Sequence, residues 1–251
     1  MVSVVFFMIN VLVNGCNGNM GKVLTRCIQK TSDMCVKYSI DKDSEPSFKS
    51  LTNLSEKPDV IIDFSVPEAS FIALDYAVCH LIPTVIATTG FSKEEDKKIL
   101  EYAQAIPIFK SSNMSYTINL IGKILTYISP FLSHMDIEMV EKHHHKKKDA
   151  PSGTALFFAD AINSSLNHQY HYTFDRHTYK KARDRNEIGF SSIRGGNLVG
   201  EHSILFLGDD ESIEIKHISY SRDVYAEGAI RAARFILNQK NGLYGMEDLL
   251  S

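Results

Sequence analysis

The stretch Val11-Leu12-Val13-Asn14-Gly15-Cys16-Asn17-Gly18-Asn19-Met20-Gly21 carries the reading of the fold. Three apolar residues make the core of a short strand. Glycines then follow at positions 15, 18 and 21, and from Met20 to Lys30 the apolar residues Val23, Leu24, Cys27 and Ile28 recur at helical spacing. A strand, a glycine turn and a helix in that order aim backbone N–H groups and the positive end of a helix dipole at one point. This suits an anionic ligand such as a pyrophosphate. The spacing is G-x-x-G-x-x-G rather than G-x-G-x-x-G, so the spacing by itself also fits a plain glycine-rich turn.

Context weighs towards a ligand. Val36–Ile40 reads as a second strand ending on Asp41, twenty residues after Gly21. At that position a carboxylate accepts hydrogen bonds from an adenosine ribose and disfavours a 2′-phosphate. Lys42 beside it moderates the preference. Further strands are expected at Val60–Phe64, Thr84–Ala87 and Ile106–Phe109, separated by helices from Pro67 to His80 and from Lys93 to Gln104. Apolar strands alternating with amphipathic helices imply a parallel sheet covered on both faces. In such a sheet ligands sit beyond the carboxyl ends of the strands, here at Phe64-Ser65 and Ala87-Thr88-Thr89-Gly90. Ordinary turn capping explains Thr88 and Thr89 equally well from spacing alone.

After about Ser112 the rhythm changes. A long apolar helix is expected from Thr117 to Phe131, a strand from Met135 to Glu141, and a helix from about Thr154 to Ser165. Ile188 to Tyr220 then reads as successive strands with a hairpin turn at Gly208–Glu211, and Ala226 to Gln239 as a returning helix. The expected fold class is α/β: a Rossmann-like doubly wound parallel sheet plus an inserted α+β domain with a mixed sheet. Residues 1–114, completed by 224–251, would form the dinucleotide-binding domain. Residues 115–223 would form a substrate-binding and oligomerisation domain.

Composition bounds the function. The chain has 251 residues, 44% hydrophobic and 23% charged, with a formal net charge of −3. Those proportions are those of a globular protein, and the charge gives no basic field for nucleic acid or an acidic membrane surface. The cysteines, Cys16, Cys27, Cys35 and Cys79, contain no C-x-x-C pair and read as reduced thiols of a cytoplasmic protein. Met1–Val13 is apolar, but it lacks a basic start and a small-residue cleavage site and is too short to span a bilayer. We read it as a buried strand from Met8 preceded by a surplus stretch, with Met8 a candidate natural start.

A second segment bears the chemistry: Glu141-Lys142-His143-His144-His145-Lys146-Lys147-Lys148-Asp149-Ala150-Pro151-Ser152-Gly153-Thr154-Ala155. Three plainer readings compete with a catalytic one. A metal site would use His143 and His145, which share a face if the strand continues, but no Cys or His-x-x-x-His stands nearby. A nucleic-acid patch lacks aromatic interleaving. A solvated charged loop is the third. The catalytic reading accounts for the order of the residues. Pro151-Ser152-Gly153-Thr154 opens a helix whose free N–H groups bind carboxylate or phosphate, and His143 and Lys147, four positions apart, supply a titratable acid and a positive charge. Together they describe a pocket for a small dianion that also needs a proton.

This segment resembles the signature of the dihydrodipicolinate (4-hydroxy-tetrahydrodipicolinate) reductases, E-x-H-H-x-x-K-x-D-A-P-S-G-T-A, at every fixed position. The resemblance extends through Gly15–Gly21, Asp63-Phe64-Ser65, Thr88-Thr89-Gly90-Phe91, Ser112-Asn113-Met114-Ser115, Gly189-Phe190 to Arg194, Gly200-Glu201-His202 and Gly242-Leu243. It implies reduction of a small cyclic dicarboxylate by NADH or NADPH in the diaminopimelate route to lysine. His143 and Lys147 would be the proton-donor candidates. His144, Ser152, Gly153 and Thr154 would hold substrate carboxylates. The cofactor would be lined by Gly15, Cys16, Asn17, Gly18, Asn19, Met20, Gly21, Asp41, Lys42, Phe64, Ala87, Thr88, Thr89, Ser112, Asn113, Met114 and Ser115. A cationic His or Lys would stabilise the charge left after hydride addition and deliver the proton. The resemblance further implies a homotetramer built through the inserted domain; the charge and spacing readings above point to no metal, nucleic acid or membrane partner. His145, Lys146 and Val66 depart from the commoner family pattern, which bears on fine contacts and not on the reaction class. The rival readings are a reductase of another small dicarboxylate or imine, and a dinucleotide-binding regulator without turnover; a regulator would be expected to lose His143 or Lys147.

Overall fold

A computed structural model of the chain describes residues 8–42, 51, 54–178 and 180–251. The expectations for Met1–Phe7 lie outside the described residues. The chain divides into two units, one comprising the residues up to Tyr116 together with Arg222–Ser251, the other Thr117–Ser221. These boundaries differ by two residues at each crossing from those read in the sequence.

The first unit is a parallel six-stranded sheet. Its strands are β1 (Ile9–Asn14), β2 (Met34–Ile40), β3 (Val60–Asp63), β4 (Thr84–Ile86), β5 (Pro107–Lys110) and β11 (Gly242–Tyr244), in the order β11-β5-β4-β3-β1-β2. Alternate residues of one strand enter opposite cores, as the period of two demands. Val11, Val13, Val60, Ile62 and Val85 pack with Leu24, Ile28, Ala229 and Ile236. Those partners lie on helices α1 (Asn19–Ile28) and α6 (Asp223–Ile236). Leu12, Ile61 and Ile86 join Leu74, Ala77 and Ile99 on the other face, from helices α2 (Pro67–His80) and α3 (Lys93–Tyr102). This two-sided burial explains why the strands read as continuous apolar runs. β1 lies between β2 and β3, so the strand order reverses at its end. That end is the topological switch point of a doubly wound sheet.

The second unit holds α4 (Tyr116–Ile128, whose first residue belongs to the first unit), a 3₁₀ turn at Ser129–Leu132, β6 (Asp136–His143), α5 (Gly153–Ser165), β7 (His171–Thr173), β8 (Glu187–Arg194), β9 (Gly200–Leu207) and β10 (Ser212–Ser219). The sheet order is β10-β9-β6-β8-β7, with β6 parallel to β8 and antiparallel to β9. It is therefore mixed. The expected hairpin turn is present, closed by Gly208 N–H donating to Glu211 O over 2.8 Å. The expected helix to Phe131 ends at Ile128, with Pro130 inside the 3₁₀ turn; proline has no N–H to continue the α ladder. The short strands β7 and β11 and the final helix α7 (Met246–Leu249) were not read from the sequence, since three or four residues fall at or below the length at which a pattern can be counted.

Because β6 separates β8 from β9, the connection between those two must pass over the end of β6. It does so at Gly195–Val199, where Gly195 N–H donates to His143 O, His144 N–H to Leu198 O and His145 N–H to Gly196 O. The histidine run is thereby held at the carboxyl end of a central strand. No helix among the described residues is long and apolar enough to cross a membrane.

Candidate active site

In the first unit the glycine turn closes on itself. Gly15 has φ +79°, and a Cβ there would lie 2.4 Å from the Phe64 carbonyl oxygen. A Cβ on Gly21 would lie 2.1 Å from Gly15 O. Glycine is required at both positions, one for its positive φ and both for close backbone approach. Gly18 is the N-cap of α1, no side chain caps that end, and no acid stands in its first turn. Cys16, Asn17 and Asn19 lie on the same turn and helix start, whose N–H groups and dipole favour an anion. The residues fit a dinucleotide on this ground.

A cavity of about 440 Å³ lies at the strand ends, lined by Met20, Phe64, Ser65, Ala87, Thr88, Thr89, Ser112, Met114, Arg222 and Tyr225. Eight of these residues were named from the sequence, Ser65 as part of a strand end and the other seven as cofactor contacts. Arg222 and Tyr225 were not, because they arrive at the start of α6, Arg222 as its N-cap, from the far end of the chain, and no local pattern marks them. Beneath the cavity the Asp63 carboxylate, 1% exposed, accepts from Asn14 Nδ2 (2.8 Å), Ser65 Oγ (2.5 Å), Ser65 N (3.2 Å), Ser70 Oγ (2.5 Å) and Thr88 Oγ1 (2.9 Å). Burial pushes its pKa up, opposed by those donors. The Thr88 hydroxyl is thus engaged below the cavity, accepting from Ser65 N–H at 2.8 Å as well. Asn113 and Ser115 shape the turn after β5, where Asn113 Oδ1 accepts from Ser115 N–H, and are not among the residues lining the cavity. Lys42 is exposed.

In the second unit His143 ends β6, buried, with Nδ1 2.6 Å from Glu141 Oε2. Burial lowers its pKa, helped by the charges of Lys147 and Arg194 and resisted by Glu141. Lys147 is bound to Asp149 Oδ2 at 2.7 Å. Ser152 caps α5, accepting from Ala155 N–H at 3.2 Å, and its hydroxyl lies 2.8 Å from His202 Nε2. Gly153 and Thr154 form the first turn of α5.

His202 and Arg194 had no role in the sequence reading, although both stand in stretches of the resemblance. Burial, with the neighbouring His143, takes the His202 pKa down to about 3. Arg194 forks onto Glu141 through bonds of 2.7 and 2.6 Å. His144 is half-buried, with its N–H on Leu198 O.

The metal reading of the histidine run rested on a strand continuing to His145. β6 stops at His143, and His145 is exposed with Nδ1 2.9 Å from Gly196 O, so the alternation does not extend that far. Lys146 and Lys148 are also exposed. His171, Asp184 and Glu187 do bring ligand atoms within 4.8 Å of one another. Those carboxylates already face Lys181 and Arg176, which would compete with a cation.

Comparison with known proteins covers nearly the whole chain. A family model described as dihydrodipicolinate reductase, N-terminus, matches residues 9–114, and one described as dihydrodipicolinate reductase, C-terminus, matches 117–250. A 4-hydroxy-tetrahydrodipicolinate reductase of Caldanaerobacter subterraneus subsp. tengcongensis is 45% identical over 97% of this chain and 98% of its own. One of Clostridium novyi is 42% identical at the same coverage. A dipicolinate-bound dihydrodipicolinate reductase from Paenisporosarcina sp. TG-14 superposes with a TM-score of 0.76 at 23% identity, over 96% of this chain and 99% of that one.

Proposed function

The chain belongs to the dihydrodipicolinate reductase family, and from that premise we propose how its residues carry out the NAD(P)H-dependent reduction of 4-hydroxy-tetrahydrodipicolinate to tetrahydrodipicolinate. The dinucleotide, when bound, supplies the hydride. The Gly15–Gly21 turn holds its pyrophosphate, and the strand ends at Phe64, Ala87–Thr89, Ser112 and Met114 line it. Asp41 meets the adenosine ribose, giving a mild preference for NADH that Lys42 tempers.

The substrate's two carboxylates are held by the α5 end at Ser152, Gly153 and Thr154 and by His144. His143 and Lys147 share the delivery of the proton. A dianion brought beside His143 raises its pKa again, since an opposite charge favours the imidazolium. The single observation supporting this reading is the grouping of His143, Lys147 and the Ser152-capped helix end at the close of β6.

We further propose a homotetramer built through the mixed sheet. The exposed apolar residues Ile193, Leu207, Ile213 and Ile218 on its strands support it, and a monomeric mass at micromolar concentration would refute it. A cytoplasmic location accords with four unpaired thiols. The decisive assay is oxidation of NADH and of NADPH by the purified protein with freshly generated substrate. Absence of turnover with both would overturn the proposed roles.

A further inference from the structure

Glu141 stands in the signature segment without a task of its own. β6 alternates strictly, so Glu141 and His143 bury their side chains on the same face. The Glu141 carboxylate is 1% exposed. Its Oε1 accepts from Arg194 Nη2 (2.6 Å) and Ser152 N–H (3.2 Å), and its Oε2 faces Arg194 Nη1 (2.7 Å) and His143 Nδ1 (2.6 Å). Burial would raise its pKa, but hydrogen bonds from Arg194, Ser192 and His143 outweigh it and bring the pKa to about 2. Glu141 is therefore an acceptor only.

An acceptor-only group 2.6 Å from the ring requires His143 to present its Nδ1–H there. In the neutral ring the lone pair then sits on Nε2. Glycine at position 200 keeps a side chain off the Nε2 edge: a Cβ there would stand 3.0 Å from it. The His202 ring meets His143 edge-on at 5.1 Å between centroids.

We propose that Glu141 is a positioning residue for the reduction, fixing the tautomer and ring plane of His143 so that Nε2 is the nitrogen that exchanges the proton with substrate, with Gly200 leaving room for that edge. The proposal rests on the reading of His143 as a proton donor. An ion pair that only braced the fold would need the Arg194 fork alone. Here the same carboxylate also holds the histidine and the first N–H before α5. The charged and titratable groups around His143 are Lys147 and Glu141 from its own segment, Arg194 from β8 and the uncharged His202 from β9. Asp149 is exposed and paired with Lys147. Among these, Glu141 is the anion in hydrogen-bond contact with the ring.

The test is histidine side-chain NMR on the full chain, with His143 assigned by its loss in His143→Ala. The wild type should show the Nδ1–H tautomer. In Glu141→Gln the His143 midpoint should fall by about one to three pH units, the usual effect of removing an adjacent opposite charge. The kcat of Glu141→Gln should fall while substrate KM changes less, and the double variant Glu141→Gln/His143→Ala should lose no more kcat than His143→Ala. Gly200→Ala leaves the Arg194 fork intact and should lower kcat in a chain that still folds. An Nε2–H tautomer in the wild type, or an unmoved His143 titration in Glu141→Gln, overturns the proposal whatever the activity. Should Glu141→Gln not fold, wild-type kcat in Gly200→Ala overturns it. Normal kcat in His143→Ala would instead refute the proton-donor reading, a result the NMR measurements keep distinct.

Discussion

The backbone N–H of Asn17, inside the glycine turn, donates to Oδ2 of Asp41 over 3.0 Å. The acid at the end of β2 thus braces the turn as well as standing at the proposed ribose position. Its other oxygen accepts from Lys42 N–H at 2.8 Å. Asp41→Ala should raise KM for NADH more than for NADPH, because only NADH loses a carboxylate–hydroxyl bond, worth about 0.5–1.5 kcal/mol or more. Initial rates with each cofactor decide it. An equal rise in both would assign Asp41 to the turn alone.

His143→Ala and Lys147→Ala should each lower kcat by roughly 10²–10⁴-fold with a smaller change in KM, the usual share of general acid catalysis. Their combined loss should be less than the product of the single losses, since residues acting as a unit are not additive. Thr154→Val, at the proposed carboxylate site, should mainly raise substrate KM. Steady-state kinetics beside NADH titration of the same proteins measure all of this, and near-normal kcat in both alanine variants would reassign the proton donor.

Removal of the Asp63 carboxylate leaves the donors of Asn14, Ser65, Ser70 and Thr88 facing an empty space. Each buried donor without a partner costs about 1–3 kcal/mol. Asp63→Ala should therefore lower the melting temperature by roughly 5–10 °C or more. It should also weaken NADH binding, because Ser65 and Thr88 line the cavity above. Calorimetry and NADH fluorescence titration test this, and an unchanged melting temperature would mean that water or a rearrangement satisfies the donors.

Acid should destabilise the fold first through histidines. Burial holds His202 at about 3, below its unfolded value of 6.5, and lowers His143 and His217 as well. A depressed pKa means that the unfolded chain binds more protons. The contribution of His202 is whole above pH 6.5 and is lost progressively as pH falls towards 3, at up to about 1.4 kcal/mol per pH unit. The Glu141 contribution persists lower, fading between its ordinary 4.5 and about 2. Thermal midpoints from pH 7.5 to 4.5 should fall more steeply in the wild type than in His202→Asn. Parallel curves would show that His202 does not carry the acid sensitivity.

Sequence alone determined the features whose causes are local. The apolar run from Val11 to Val13 followed by glycines at 15, 18 and 21 marks a strand and a helix start, and continuous apolar strands alternating with amphipathic helices announce a covered parallel sheet. The Glu141–Ala155 segment likewise places a histidine, a lysine and a capped helix end within a few residues of one another. The tertiary structure decided what depends on partners distant in the chain. Arg194 reaches Glu141 across 53 residues and His202 reaches Ser152 across 50, while Arg222 and Tyr225 enter the cavity from the start of α6. Neither pairing leaves a periodic trace, because strand neighbours are chosen by the sheet and not by sequence spacing. The protonation of His143 belongs to the same class. Its residue type offers either form near neutral pH, and only the burial supplied by the folded chain, set against the Glu141 carboxylate, moves its pKa down.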